Sequence, residues 1–416
     1  MKNKLKLLYG NLLIDGNGGT PISNGAILIE GDTIIDVGQK GKIKIPENAE
    51  VEKIYFENET LLPGLVDCHV HLNGFGDGRF GDDLALLPDE ILTLQAAKNA
   101  RTHLYSGVTT IRDLGSKHKT SLLLRKAIEM GITVGPRMIL CGRPVAIIGG
   151  HMHYFGIEAT GVDEGRKAVQ QLIKDGSDMI KITATGGSTK TSFPFRSSFN
   201  LDELKAIISE AHKFGKHTAA HLGSSEAMLN CLEAGVDTII HCGYHEPDGT
   251  IKFRKEVAER IVKQGVFVNP TLAQSFIPYM DGRITDEKLI ETKLIKEKKE
   301  GRFSKHVANI QRTVDMGAKL VAGSDSSWST DPMGSFQYEI IAHVEDIGLS
   351  PMEGIVSATR DSAKSLWIND TVGTLEKGKK ADILIVKGNP AQNIHNLWNV
   401  VTVFLGGKEV EKNGSL

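Results

Sequence analysis

Residues 62–71 read LPGLVDCHVH, a short apolar run that ends in two histidines separated by one residue. A run of this length is typical of a buried strand. In a strand, residues i and i+2 project from the same face, so His69 and His71 point together. A His-x-His pair alone is weak evidence for a metal site, because two surface histidines would give the same pattern. Its meaning depends on the residues at the ends of the other strands.

The sequence after residue 71 alternates short apolar runs with amphipathic stretches long enough to form helices. The predicted strands comprise residues 64–69, 108–113, 137–141, 178–183, 217–221, 238–242, 266–269 and 319–324. The predicted helices comprise residues 89–104, 121–130, 163–174, 201–214, 225–233, 253–263, 286–316 with an interruption near 301, 333–347 and 352–366. Alternating strands and helices predict a parallel sheet. Eight such units indicate a closed (β/α)8 TIM barrel. A doubly wound open sheet is the alternative, but no Gly-x-Gly-x-x-Gly motif follows the first strand.

Both ends of the chain have a different pattern, with short strands and polar or glycine-rich turns. The predicted strands are residues 6–13, 26–30, 33–37 and 51–56 at one end, and 381–387 and 400–405 at the other. Neither end is long enough to bury a sheet by itself. We therefore expect both termini to pair into one small β-sandwich domain. This divides the chain into residues 1–61 and 369–416, which form that domain, and residues 62–368, which form the barrel.

The composition excludes several classes of protein. The 416 residues contain 49 Lys and Arg and 51 Asp and Glu, which gives a formal net charge of −2 at pH 7. This balance excludes strong attraction to nucleic acid or to an anionic membrane surface. No apolar run approaches the roughly 18 residues that a membrane span needs. Four cysteines do not make a disulfide framework in a chain of this length, so we expect a cytoplasmic enzyme.

Three further potential metal ligands occur where predicted strands end. His221 closes the fifth strand, His241 closes the sixth, and Asp325 follows the eighth. In a parallel barrel these ends meet on the face where active sites form. Four histidines and a carboxylate are ligands that suit Zn²⁺. The alternative, four core histidines, would require each ring to find its own hydrogen-bond partner, and we do not favour it.

Lys181 is an unusual residue for the apolar fourth strand. A lysine there is costly unless its charge is paired or removed. An ammonium group has no lone pair and cannot bind a metal. Addition of CO2 to the amine would give a carbamate, a carboxylate-like anion able to bridge two cations. The residues alone leave this open against a lysine that forms an ion pair at the barrel mouth.

The order of these residues resembles the metal-dependent amidohydrolase superfamily. The match includes the lead-in at residues 62–67 and the return to the terminal sheet through residues 373–378 and 381–382. Residues 149–151, 184–187 and 241–244 look like the branch of binuclear prolidase-like peptidases and N-acyl-amino-acid hydrolases. The resemblance implies two Zn²⁺ or other divalent ions. His69, His71 and Asp325 would hold one ion, His221 and His241 the other, and a carboxylated Lys181 with a hydroxide would bridge them.

The same resemblance implies how the site works. Asp325 would act as general base and acid, taking a proton from the bridging hydroxide and passing it to the leaving amine. His151 would bind the substrate or the developing oxyanion. Tyr244, three residues after His241, could bind a substrate carbonyl or carboxylate, or simply pack at the rim. Arg196, in the polar loop after the fourth strand, could bind a substrate carboxylate, or the loop could simply be solvated.

We therefore expect a hydrolase that cleaves an amide bond in a small molecule, either a dipeptide or an N-acyl amino acid. Hydrolysis of a urea, carbamate or anilide is the alternative, because the same site could support it. A non-catalytic scaffold protein would be expected to lack ligands, and none is missing here. Related proteins are often homo-oligomers, and we expect the same of this chain.

Overall fold

The computed structural model describes residues 5–275, 301–328 and 330–411. The first part of the helix predicted at 286–316 therefore lies outside the described residues. The chain opens with four strands, β1 (Leu5–Leu13), β2 (Ile22–Glu30), β3 (Thr33–Gln39) and β4 (Val51–Pro63). No helix in these described ranges is both long and apolar enough to cross a membrane.

The middle of the chain alternates strands and helices, as predicted. In chain order its elements are β5 (Leu65–Val70), α1 (Gly81–Leu84), α2 (Asp89–Tyr105), β6 (Val108–Asp113), α3 (Thr120–Glu129), β7 (Arg137–Leu140), β8 (Val145–Ala146), β9 (Ile157–Glu158), α4 (Val162–Asp175), β10 (Ile180–Ile182), α5 (Leu201–Lys213), β11 (Thr218–His221), α6 (Ser225–Ala234), β12 (Thr238–Ile240), α7 (Lys255–Gln264), β13 (Phe267–Asn269), α8 (Arg302–Asp315), β14 (Lys319–Leu320), α9 (Gln337–Glu345), α10 (Pro351–Ser357) and α11 (Arg360–Ser365). The chain then ends in β15 (Ile383–Lys387), β16 (Val400–Leu405) and β17 (Lys408–Glu409). Helix starts follow local signals: Asn200 and Glu203 form a capping box on α5, and Ser350 and Glu353 form one on α10.

The central strands are all parallel, which confirms the predicted α/β class. They form two sheets, in the orders β5-β6-β7 and β14-β13-β12-β11-β10-β8-β9. Backbone hydrogen bonds also join the sheets on both sides. The Cys68 amide donates to the Ala322 carbonyl over 3.0 Å, and the Asp178 amide donates to the Leu140 carbonyl over 2.8 Å. The eighth strand is shorter than predicted, because only Lys319–Leu320 keeps regular pairing.

The strands of the two termini share one mixed sheet with the order β17-β16-β15-β4-β1-β2-β3. Long strand β4 is the link, since it pairs in parallel with β1 and antiparallel with β15. It crosses the predicted domain boundary at residue 61 and ends at Pro63. The two facing sheets of the predicted β-sandwich are not shown, because these seven strands form a single sheet.

The C-terminal strand β15 packs on the helices of the central part. Leu384 is fully buried and belongs to one apolar cluster with Ala96, Ala100 and Leu104 of α2. Its neighbours in the strand, such as Ile383, face a second cluster on the other side of the sheet. The terminal sheet is thus a packing layer for the central domain as well as a unit with its own core.

We expect Leu384→Ala to lower the free energy of unfolding by about 2–5 kcal/mol, since it removes a buried side chain and leaves a cavity. Urea denaturation followed by circular dichroism would measure the change. Val401→Ala on the neighbouring strand β16 is the matched control, because Val401 is 44% exposed. Equal effects of the two substitutions would show that β15 does not support the central domain.

Candidate metal centre

The strand ends of the central sheets meet around one cavity of about 340 Å³. All six predicted metal ligands and His151 line it. The lining residues are His69, His71, His151, Met152, Lys181, Ser188, His221, His241, Gln274, Asp325 and Trp328. The cavity thus brings together side chains from the ends of five strands, which is the arrangement that the sequence predicted.

Three donor atoms converge at one side of this cavity. His69 Nε2 and His71 Nε2 lie 3.2 Å apart, and each lies 3.2 Å from Asp325 Oδ1. The three residues form a group that could hold a metal ion. Ligands around a tetrahedral Zn²⁺ with bonds of 2.0–2.1 Å are separated by about 3.3–3.4 Å. The observed spacing therefore fits three ligands of one small cation.

The hydrogen bonds of the His69 and His71 rings determine which ring nitrogen carries a proton and which carries a lone pair. His69 Nδ1 lies 3.2 Å from Asn269 Oδ1, and His71 Nδ1 lies 3.2 Å from the Gly115 carbonyl oxygen. Both oxygens can only accept, so each Nδ1 carries the proton and each Nε2 presents a lone pair. Asp325 Oδ1 is buried and has no hydrogen-bond partner among the described residues. Three buried acceptors facing one another repel unless a cation lies between them.

A second pair of acceptors lies at the other side of the cavity. His221 Nδ1 and His241 Nε2 are 2.9 Å apart. His221 Nε2 donates to the Gly186 carbonyl over 3.1 Å, and His241 Nδ1 lies 2.6 Å from Thr271 Oγ1. The Thr271 hydroxyl itself donates to the Pro270 carbonyl, so its oxygen accepts from His241. The two nitrogens that face each other therefore both carry lone pairs. This pair of nitrogens could also bind a cation.

Burial keeps these histidines neutral. It lowers the pKa of His69 and of His221 well below the ordinary value, and it lowers the pKa of His241 to about 4. The positive charge of Lys181 lowers all three pKa values further. Neutral imidazole is the form that binds metal, so the site offers ligands in the correct protonation state at neutral pH.

Lys181 lies on β10, with 1% of its surface exposed. Burial lowers the pKa of its amine to about 8, while the charge of Asp325 acts in the opposite direction. A measurable fraction of this amine is neutral near pH 7.5, unlike an ordinary lysine. A neutral amine is the form that can add CO2, so the environment of Lys181 suits a carbamate.

His151 lies beside the second pair. Its ring centroid is 4.4 Å from that of His221, and its Nδ1 is 3.1 Å from Thr189 Oγ1. Burial, followed by the charge of Lys181, lowers the pKa of His151 to about 3. The ring packs over Gly187, where a Cβ atom would come within 2.7 Å of it. His151 therefore reaches the cavity as a neutral, fixed imidazole.

A buried carboxylate behind the first group ties two strand ends together. Asp67 Oδ1 accepts from the His69 and Ser324 amides, and Oδ2 accepts from the Ser324 hydroxyl and from His103 Nε2. The Asp325 amide in turn donates to the His69 carbonyl over 2.7 Å. These bonds hold the backbones of His69 and Asp325 in one relative position.

Two predicted ligands occupy an unusual backbone conformation. His241 has φ 67° and Asp325 has φ 58°, in the left-handed region that non-glycine residues rarely adopt. The cost of such a conformation is of order 1–3 kcal/mol and persists where surrounding contacts enforce it. The left-handed turn redirects each side chain at the end of its strand, in both cases toward the cavity.

Two predicted substrate-binding residues are not brought into this cavity. Tyr244 is fully buried, and its hydroxyl lies 2.8 Å from Thr313 Oγ1 on α8. The Cζ atom of Arg196 lies 5.9 Å from the centre of the Phe193 ring. Arg196 lines a separate surface cavity together with Glu226 and Glu246. A substrate in the described metal cavity would therefore meet neither side chain directly.

Sequence reasoning missed three residues that contact the ligands. Asn269 fixes the His69 ring, the Gln274 amide donates to Asp325 Oδ2 over 3.2 Å, and the Trp328 ring lies 4.9 Å from His71. Asn269 ends β13, so its place at a strand end was a signal in the sequence. Gln274 and Trp328 follow strand ends by several residues, and no local pattern distinguishes them.

Comparison with known proteins identifies the family. The model of the amidohydrolase family matches residues 60–410, so the chain belongs to that family, and the resemblance seen in the sequence is confirmed. The chain is a hydrolase of this metal-dependent group, whose relatives act on carbon–nitrogen bonds.

Particular relatives cover almost the whole chain. Ochratoxinase from Aspergillus niger is 26% identical over 450 aligned positions, which cover 97% of this chain and 86% of that protein. The structure of a Xaa-Pro dipeptidase with methionine bound in its active site has a TM-score of 0.82 and 28% identity, and covers 98% of this chain and 100% of its own. The structure of a putative prolidase from Bifidobacterium longum has a TM-score of 0.79 and 27% identity. The match covers 100% of this chain and 96% of that one.

We expect Asn269→Ala to weaken zinc binding by about 10- to 100-fold, because the His69 ring loses the acceptor that sets its tautomer and orientation. Competition with a chromophoric chelator would measure the affinity. Asn230→Ala on α6, away from the cavity, is the matched control. An unchanged zinc affinity in Asn269→Ala would contradict the tautomer assignment.

Proposed function

We propose that this chain hydrolyses the amide bond of a dipeptide or an N-acyl amino acid at a binuclear zinc centre. One observation carries the proposal: two groups of facing lone pairs, one of which includes the Asp325 carboxylate, line the same cavity as the buried amine of Lys181. Relatives named ochratoxinase, Xaa-Pro dipeptidase and prolidase support an amide as the scissile bond.

The proposal includes a closed (β/α)8 barrel for residues 62–368. The hydrogen bonds from Cys68 to Ala322 and from Asp178 to Leu140 support closure, since they join both outer strands of the three-stranded sheet, β5 and β7, to segments next to β14 and β10 of the other parallel sheet. A closed barrel would explain why strand ends that are far apart in sequence surround one cavity. The relation to prolidase-like structures supports the same architecture.

In the proposed centre, His69, His71 and Asp325 would hold one cation, and His221 and His241 would hold the other. Lys181, carboxylated on its amine, would supply an anionic ligand between the two groups. Two cations held there would lower the pKa of a shared water and polarise a substrate carbonyl. The lowered pKa of the Lys181 amine and the repulsion between the facing nitrogens support this distribution of ligands.

Side chains of the protein transfer the proton and orient the substrate. Asp325 takes the proton of the attacking water and delivers it to the leaving nitrogen, which is otherwise a poor leaving group. The Gln274 amide, which donates to Oδ2, holds the carboxylate in place for this transfer. His151, fixed against Thr189 and His221, orients the substrate carbonyl.

We expect zinc-loaded protein to hydrolyse N-acyl amino acids and dipeptides. Asp325→Asn should lower kcat by about 10²–10⁴-fold, because the amide cannot carry the proton. A screen that includes aryl ureas and carbamates, followed by steady-state kinetics and metal analysis, would measure this.

Asp163→Asn is the control, because this exposed residue lies at the start of α4. Turnover of ureas or carbamates alone would overturn the proposed substrate class. Near-normal turnover of Asp325→Asn would remove the proton-transfer role.

We expect Lys181→Ala to lose turnover by more than about 100-fold, since even indirect supports of a metal site cost 10–100-fold. A short carboxylic acid such as acetate should restore part of the activity, because its carboxylate can occupy the bridging position. Metal content and kinetics with and without acetate would measure both effects.

Lys174→Ala, an exposed lysine near the end of α4, controls for the loss of a charge. Two tightly bound zinc ions in Lys181→Ala without added acid would contradict the bridging role.

A further inference from the structure

A second cavity of about 350 Å³ adjoins the metal cavity. His221, His241 and Gln274 line both cavities, so the two are continuous at the second pair of histidines. Its volume lies within the range of about 300–1,000 Å³ that is usual for small-molecule sites. A substrate whose carbonyl lies between His221 and His241 therefore has room to extend into this second cavity.

One wall of the second cavity is apolar and aromatic. Phe195, in the loop after β10, stacks on the His245 ring with centroids 5.2 Å apart and an angle of 28° between the planes. Ile251 and Pro270 are further apolar residues that line the cavity. His245 Nδ1 donates to the Gly223 carbonyl over 3.0 Å, which fixes the stacked ring. Such a wall suits an apolar or aromatic side chain of a ligand.

The second cavity also has a cationic group, Arg302, which begins α8. No ion pair joins Arg302 to another described residue, and no carboxylate is found among the described residues that line this cavity. His306 also lines it, and burial lowers the pKa of His306 to about 4, so this ring is neutral. Among the lining residues described, Arg302 is therefore the permanent charge, and it has no partner within the described part of the protein.

We propose that the second cavity binds the carboxylate-bearing amino acid of the substrate, with Arg302 pairing with its carboxylate and the Phe195 wall receiving its side chain. This inference rests on the proposed function, because it names the leaving half of that substrate. Gln274 supports the orientation. It lines both cavities and donates to Asp325, so an amino group leaving into the second cavity stays next to the carboxylate that protonates it.

The inference also replaces the sequence-based assignment of the carboxylate to Arg196. Arg196 lines a different cavity, which shares no described lining residue with the metal cavity or with the second cavity. A carboxylate bound at Arg196 would therefore lie outside the two adjoining cavities. Arg302 lacks acidic neighbours among the described residues of the second cavity and offers a planar guanidinium that binds a carboxylate through two parallel hydrogen bonds.

The test measures binding and turnover separately. Calorimetric titration of zinc-loaded protein with L-phenylalanine and with L-phenylalaninamide compares a carboxylate with its neutral counterpart. Hydrolysis of N-acetyl-L-phenylalanine gives kcat and KM. Ligand binding, kcat and KM are measured for the unchanged chain and for the variants Arg302→Ala, Arg302→Lys and Lys305→Ala. Lys305 is an exposed residue on the same helix, α8.

We expect Arg302→Ala to weaken L-phenylalanine binding and to raise KM by about 10- to 100-fold, with little change in kcat, since a charge-assisted pair is lost. Binding of L-phenylalaninamide should not change. Arg302→Lys should recover part of the affinity, and Lys305→Ala should behave like the unchanged chain.

Two outcomes distinguish the inference from the proposed function. If the unchanged chain hydrolyses N-acyl amino acids but Arg302→Ala binds L-phenylalanine equally well, the assignment of Arg302 is overturned and the proposed function stands. If Arg302 controls L-phenylalanine binding but no amide is hydrolysed, the carboxylate site stands and the proposed function is overturned.

Discussion

The site depends on a constraint of charge: acceptor atoms of several side chains face one another at distances of 2.9–3.2 Å. His69 and His71 turn their lone pairs toward each other and toward Asp325, because both Nδ1 protons are engaged with fixed oxygens. His221 and His241 repeat this arrangement across the cavity. Acceptors that face one another away from water raise the free energy of the fold unless a cation or a proton compensates them. The rest of the fold can be understood as the support that keeps these atoms in place.

That support is mainly backbone and second-layer hydrogen bonding. Asp67 uses both carboxylate oxygens to bind the backbone of β5 to the segment after β14, and His103 on α2 completes its set of donors. Left-handed residues at the strand ends then turn His241 and Asp325 into the cavity. The Asp67 hydrogen bonds and the left-handed residues both lie within the central domain. The terminal sheet contributes packing instead, through residues such as Leu384 that join the core of that domain.

Membership of the amidohydrolase family accounts for the scaffold on which the candidate ligands lie. The relatives cover nearly the whole chain at 25–28% identity, so the likeness extends over the scaffold as a whole. The loop after β10 supplies Phe195 and Ser188, and the start of α8 supplies Arg302. Substrate choice in barrel enzymes is set by such loops, which differ between relatives more readily than the strands.

The sequence by itself determined the parallel α/β class, the presence of histidines at strand ends, and their convergence on one face. Period-two alternation and the rule that parallel strands end on one edge suffice for this, as His69, His71, His221 and His241 illustrate. The tertiary structure decided the tautomers, the roles of Asn269 and Gln274, and the positions of Tyr244, Arg196 and Arg302. Tyr244 shows the physical reason: Cys242 and Tyr244 have φ 54°, so strand alternation no longer applies after His241. Where a side chain in a loop points is determined by packing partners distant in sequence, such as Thr313 for Tyr244, and no local pattern encodes them.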